Sequence, residues 1–225
     1  MSNNKHVILD LETLGTADNG LSDSAVVSMA AIVFDEDIEY DKLKRVPFER
    51  VVDSTFHVKF AIDTKKKGQR FERTIDPKTV QWWSEQEPAV RKALKPSDED
   101  EQLNVAMFKF KSFLSEKGCN PKTSKIYCRG QHFDIPILQN IMHGLDMSFH
   151  EDVSRYWNWR DLRTALDELV GSDSFKLPNA IESKFIKHDA RADVAHELFM
   201  LVFARALSSG ETTFEEMYKD DISND

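Results

Sequence analysis

The 225-residue sequence has only two cysteines, and Cys119 and Cys128 form no C-x-x-C pair, which excludes a disulfide framework and a structural zinc knuckle. Long apolar runs are also missing. The longest, Ala25 to Phe34, is too short to cross a bilayer, so no membrane association is expected. The first five residues, MSNNK, lead into an apolar stretch without the basic-then-apolar layout of a signal peptide, and a cytoplasmic protein is expected. No low-complexity tract, repeat or Pro/Gly-rich linker divides the chain. Excess positive charge is absent as well: the formal net charge is −9. Residues Glu211 to Asp225 hold six acids and one lysine, a net of −5, which leaves −4 on the rest. That balance neither suggests nor excludes nucleic acid as a partner.

The composition that is present, 40% hydrophobic and 31% charged, is that of a globular domain with a full core. We read residues 1–210 as one domain and 211–225 as an acidic C-terminal tail. Val7-Ile-Leu starts a strand, Ala25 to Phe34 a second and Val51 to Phe60 a third, joined by short connections into an antiparallel meander. Helical periodicity begins at Pro77, with Asp76 as cap, and Pro88 interrupts that helix. Ser97-Asp-Glu-Asp-Glu is expected to cap another helix, with Val105, Phe108, Phe113 and Leu114 inward. Ile126 to Cys128 reads as a short strand turning into a helix that buries Ile137, Leu138, Ile141 and Met142. Ala192 to Leu207 reads as a final amphipathic helix. Lys42, Lys44 and Arg45, and then Lys65-Lys66-Lys67 with Arg70, are basic clusters that serve as solvated loops or as phosphate contacts.

The stretch VILDLETLGT carries the first chemical signal. Asp10 and Glu12 share strand parity, so both side chains leave one face about 7 Å apart at the end of an apolar run. Like charges there repel and lose hydration, and a divalent cation is the simplest compensation. Asp134 lies in the first turn of its helix, where taken alone it would simply complement the dipole. In KHDARADVAHEL, Asp189 is an adequate N-cap, which leaves His188 in a loop and Asp193 in the first turns. The ordered set D-x-E-T-x-G, F-D and H-x4-D spans most of the chain.

That set resembles the DnaQ-like (DEDDh) 3′-5′ exonucleases, and TVQWWSEQEPAVRKAL, CRGQHFDIPIL and WNWRDLRT look like the tailed-phage exonuclease A (DexA-like) group and its mycobacterial exoribonuclease relative. The resemblance implies an α/β, ribonuclease H-like fold: a mixed five-stranded sheet, three antiparallel strands and then parallel ones, flanked by helices. It implies Asp10, Glu12, Asp134 and Asp193 as ligands of two Mg²⁺ or Mn²⁺, with Glu12 also near the 3′-OH and His188 as general base. Thr13, Leu14 and Phe133 would meet the terminal nucleotide of a single-stranded DNA or RNA 3′ end, whose hydrolysis would release nucleoside 5′-monophosphates. Asp161 would have a supporting role after the last strand. Gly130 stands where many members have asparagine. A homodimer is compatible with the sequence, and a phage-encoded protein would work in the host cytoplasm. Oxygen ligands suit such hard cations, and a histidine titrating near neutrality suits the remaining proton. Trp82, Trp83, Trp157 and Trp159 are candidate base platforms, one of each pair being expected to be buried. Two other readings compete. An HD-type phosphohydrolase would use His188-Asp189 with His132, His143, His150 and His196, but needs an all-helical fold. A catalytically silent nucleic-acid-binding module would keep the same fold.

Overall fold

Alternation along the first strand, β1 (Lys5–Thr13), divides the molecule into two cores. Val7, Leu9 and Leu11 face one side of the sheet, and Ile8 faces the other, so Asp10 and Glu12 follow Ile8 by parity. The described residues are 4–15, 22–62 and 73–219 of a computed structural model. Strand β2 (Val26–Asp35) pairs antiparallel with β1, and β3 (Phe56–Lys59) pairs antiparallel with β2. Strands β4 (Ile126–Cys128) and β5 (Trp159–Asp161) add in parallel on the other side of β1, giving the order β3-β2-β1-β4-β5. This is the mixed five-stranded sheet expected from the sequence.

Between β2 and β3 the connection is not short. It contains α1 (Tyr40–Leu43) and α2 (Phe48–Asp53). Val51, expected to open the third strand, is therefore helical, and the strand starts five residues later. Pro47 precedes the first turn of α2, and Phe48 and Val51 bury themselves in the core beneath the last long helix. That burial outweighs the β preference of Val51 and Val52. Lys42 and Lys44 are exposed and pair with Glu39 and Asp41 on the same short helix, as solvated residues do. The Lys65–Lys67 and Arg70 cluster lies outside the described residues, as does most of the turn expected over 16–24.

Helix α3 (Pro77–Ser84) is capped by Asp76, whose carboxylate accepts from Lys78 N, and α4 (Pro88–Ala93) begins anew at Pro88. Helix α5 (Leu103–Glu116) starts later than expected, because Glu101 is held in a bridge with Phe60 and Ser97 to Asp100 form a turn. Its phase also differs: Ala106, Met107, Phe110 and Leu114 face the core, while Val105 and Phe108 are exposed. Helices α6 (Gln131–Gly144) and α7 (Phe149–Asp152) complete that layer.

The opposite face of the sheet is covered by α8 (Leu162–Val170), α9 (Asn179–Glu182) and the 20-residue α10 (Ala190–Ser209). Alanines at 190, 192, 195, 204 and 206 are buried and let α10 lie close to the sheet, while Phe199 and Phe203 fill the space toward Phe48 and Tyr40. The acidic segment after 210 begins as a capped helix, α11 (Phe214–Met217), with Met217 buried. Phe199 is fully buried between Phe48 and Phe203, with ring centroids at 6.0 and 5.8 Å. Phe199→Ala is expected to cost about 3–5 kcal/mol, read as a lower denaturant midpoint at unchanged slope.

Candidate active site

The sheet's geometry delivers the acids to one edge. The pairing of β4 with β1 covers only Val7 and Ile8. Beyond it, the N–H of Leu11 turns to Asp134, whose Oδ1 accepts at 3.2 Å from the first turn of α6. The turn before α6 needs Gly130, which sits at φ 112° and ψ 62°, where an L side chain is disfavoured. A Cβ there would also press on the Arg163 guanidinium at 3.2 Å. Asp161 caps α8 by accepting from Thr164 N at 2.9 Å, and it also takes the N–H of Gln131 at 3.3 Å. It thereby fixes the start of the helix that carries Asp134.

On the other face, Asp10 lies opposite Ala30 and Glu12 opposite Ser28 in the β1–β2 register. These small residues leave room above them. A register shift between Glu12 and Thr13 then bends the strand at its end. Helix α10 brings up Asp193, one turn in from its N-cap. Asp189 is that cap, accepting from Arg191 N at 3.1 Å and pairing with the Arg191 guanidinium at 2.8 Å. The oxygens of Glu12 and Asp193 and a ring nitrogen of His188 all lie within 4.8 Å of one another.

Burial dominates the electrostatics here. It raises the carboxyls of Asp10, Glu12, Asp134 and Asp193 above the usual range, and their mutual repulsion raises Glu12, Asp134 and Asp193 further. Such a set of oxygen donors, raised in spite of the nearby Arg163 and Lys187 charges, fits hard divalent cations. His188 shifts the other way: burial, and then the Lys187 charge, lower it, which favours the neutral imidazole, the form able to accept a proton.

His188 sits at φ 67°, in the left-handed region, and its ring packs edge-on against Trp82 at 4.8 Å and Trp83 at 5.8 Å. Trp83 is buried and donates from Nε1 to the Thr13 carbonyl at 2.8 Å, while Trp82 is 41% exposed. A cavity of about 420 Å³ opens beside Glu12, lined by Thr13, Gly15, Thr79, Trp82, Trp83 and Phe133 among others. Thr13 and Phe133 thus both line this cavity. Leu14 is not among the described lining residues; its backbone is taken by Ala25 and Asp76. A second cavity of about 620 Å³ lies on the α10 side of the acids, with Arg129, Arg163, Lys176 and Lys187 on its walls.

Sequence reasoning missed Glu197, which is buried one turn beyond Asp193 and lines the same cavity. It also missed the basic walls and the Trp82–His188 contact. Of the histidines considered for an HD centre, only His188 joins the acids among the described residues, and Asp189 is spent on Arg191. The five-stranded sheet is not the all-helical fold that such a centre requires.

A five-stranded sheet with these acids on β1 and at the starts of α6 and α10 defines the class, a nuclease of ribonuclease H-like fold. The chain belongs to the 3′-5′ exoribonuclease Rv2179c-like domain family, whose model matches residues 5–203. It is a 3′-5′ exonuclease. Among curated proteins it is similar to an exodeoxyribonuclease of Enterobacteria phage T4, 28% identical over 216 residues and covering 90% of each chain. Among solved structures it resembles the nuclease domain of 3′hExo, a DEDDh family member bound to rAMP, with a TM-score of 0.57 at 10% identity over 93% of this chain and 94% of that one. It also resembles product-bound exonuclease I, with a TM-score of 0.56 at 12% identity, where it covers 93% of this chain and 45% of the other.

If the acids repel one another in the metal-free protein, neutralising one relieves that strain. Asp10→Asn is expected to raise the melting temperature in EDTA, by about 2–4 °C for each kcal/mol relieved in a chain of this size. It is also expected to shrink the further rise that Mg²⁺ gives the wild type. A lower melting temperature in EDTA with an intact Mg²⁺ increment would contradict this.

Proposed function

We propose that the protein removes nucleoside 5′-monophosphates one at a time from a single-stranded 3′ end, using two divalent ions held by Asp10, Glu12, Asp134 and Asp193. The observation that carries this reading is the meeting of the Glu12 and Asp193 carboxylates with the His188 ring, beside a cavity large enough for a small ligand. When bound, such a pair of ions neutralises charge at the scissile phosphate and lowers the pKa of the attacking water.

The chain's own residues do the rest. Thr13, Phe133 and Trp82 hold the terminal nucleotide, with an exposed indole face for an unpaired base to stack on. The strained loop aims the His188 ring at the Glu12–Asp193 gap, where its free nitrogen takes a proton from water. Arg129, Arg163 and Lys176 face the incoming backbone with positive charge on the far side of the acids. Unpaired thiols at Cys119 and Cys128 suit a reducing cytoplasm, and among the described residues no helix is long and apolar enough to cross a membrane.

Digestion of matched 5′-labelled single-stranded RNA and DNA tests the reading. A Mg²⁺- or Mn²⁺-dependent ladder shortening from the 3′ end, stopped by EDTA, is the expected result, and the faster substrate identifies the sugar. No cleavage of either strand with either metal would overturn it and favour a silent binding module. His188→Ala is expected to lower kcat by about 10²–10⁴-fold with KM and metal requirement retained. A loss confined to metal or substrate affinity would instead assign His188 to binding.

A further inference from the structure

Helix α10 carries a second acid on the face that bears Asp193. Glu197 lies four residues on, so the two side chains are neighbours on one helical stripe, with Cβ atoms about 5–6 Å apart. Glu197 is only 3% exposed, and its Oε2 has no hydrogen-bond partner among the described residues. It lines the same cavity as Asp10, Glu12, His188 and Asp193. A buried glutamate in the middle of a helix normally has a cation or a set of donors close by. The nearby cation, Arg129, attracts Glu197 by its charge, but its hydrogen bonds go to the Met200 sulfur at 3.5 Å and the Asp173 carbonyl at 3.4 Å.

A proton on Glu197 would cancel its charge but leave Oε2 still facing no donor or acceptor. A divalent cation, or a water held by one, satisfies both the charge and the oxygen. The rest of the cavity offers the same chemistry, since Asp10 projects from the strand facing Glu197 across the gap between sheet and helix.

We infer that Glu197 is a fifth carboxylate of the divalent-cation centre, set one helical turn beyond Asp193 to raise the centre's affinity for the ion. The inference rests on the two-ion reading above and adds a residue outside the D-x-E, F-D and H-x4-D set. Its place on α10 also explains why a helix buried on nearly all sides keeps an acid where an apolar residue would pack.

The test is Mn²⁺ binding to the full chain without substrate, read by electron paramagnetic resonance of the free ion, for wild type, Asp10→Asn, Glu197→Gln and Glu197→Asp. Glu197→Gln keeps size and hydrogen-bonding capacity while removing charge, and melting curves in EDTA report whether each variant is folded. The expected result is a midpoint weakened about 10–100-fold in Glu197→Gln, with much of the loss restored in Glu197→Asp. A Glu197→Gln midpoint equal to wild type, alongside a weakened Asp10→Asn, would overturn the inference and leave the two-ion reading standing. Unchanged midpoints in both Asp10→Asn and Glu197→Gln would overturn both. Equal weakening in Glu197→Gln and Glu197→Asp, with lowered melting temperatures in EDTA, would make Glu197 a packing residue and also overturn the inference.

Discussion

Asp10 and Glu12 stand on the central strand of the sheet and face α10, which presents Asp193 and Glu197 to them across a cavity, while Asp134 closes the end of β1. Like charges brought together this way push the fold apart, and everything around them holds it in place. The long β1–β2 ladder fixes the strand, and the alanine-rich side of α10 fixes the helix against it. Asp161 ties the start of α6 to the start of α8. On the proposed two-ion reading, stability at this edge is given up so that oxygens point at one small volume before any ion arrives. That preorganisation is what a hard cation requires, because Mg²⁺ tolerates little distortion of its ligand sphere.

A second constraint couples the cavity beside Glu12 to the histidine. Trp83 pins the end of β1 through the Thr13 carbonyl, and Trp82 presents one side to the cavity and packs against His188. The imidazole is therefore held by the same short helix that walls this cavity. Its backbone occupies a left-handed conformation that costs of order 1–3 kcal/mol, and the indole contacts help keep it there. The loop bearing His188 is braced from behind by the His196–Glu182 pair at 3.0 Å and by Phe185 stacked on His196 at 4.1 Å.

Much of this could be read in the sequence, for reasons tied to particular residues. The shared parity of Asp10 and Glu12 is a local property of any strand, and the structure keeps it. Asp76, Pro77 and Asp189 mark helix starts because caps act within one turn. The third strand was placed too early because Val51 and Val52 look β-forming, while the burial of Phe48 and Val51 beneath α10 depends on residues far along the chain. The face of α5 was misjudged for the same reason: Phe108 is apolar, yet nothing in the fold covers it. Glu197 was passed over because an acid within a helix reads as a solvated position. Only the packing of α10 on nearly every side shows that this one is buried.

The central claim is that the carboxylates at the edge of β1 and the face of α10 exist to hold cations. The most direct measurement is a crystal structure with Mn²⁺ and a nucleoside 5′-monophosphate, with anomalous scattering to locate the metal. The account predicts two Mn²⁺ peaks among Asp10, Glu12, Asp134 and Asp193, with the nucleotide base against Trp82 and Phe133. Peaks elsewhere on the chain, with these acids bare and the nucleotide away from that cavity, would contradict it.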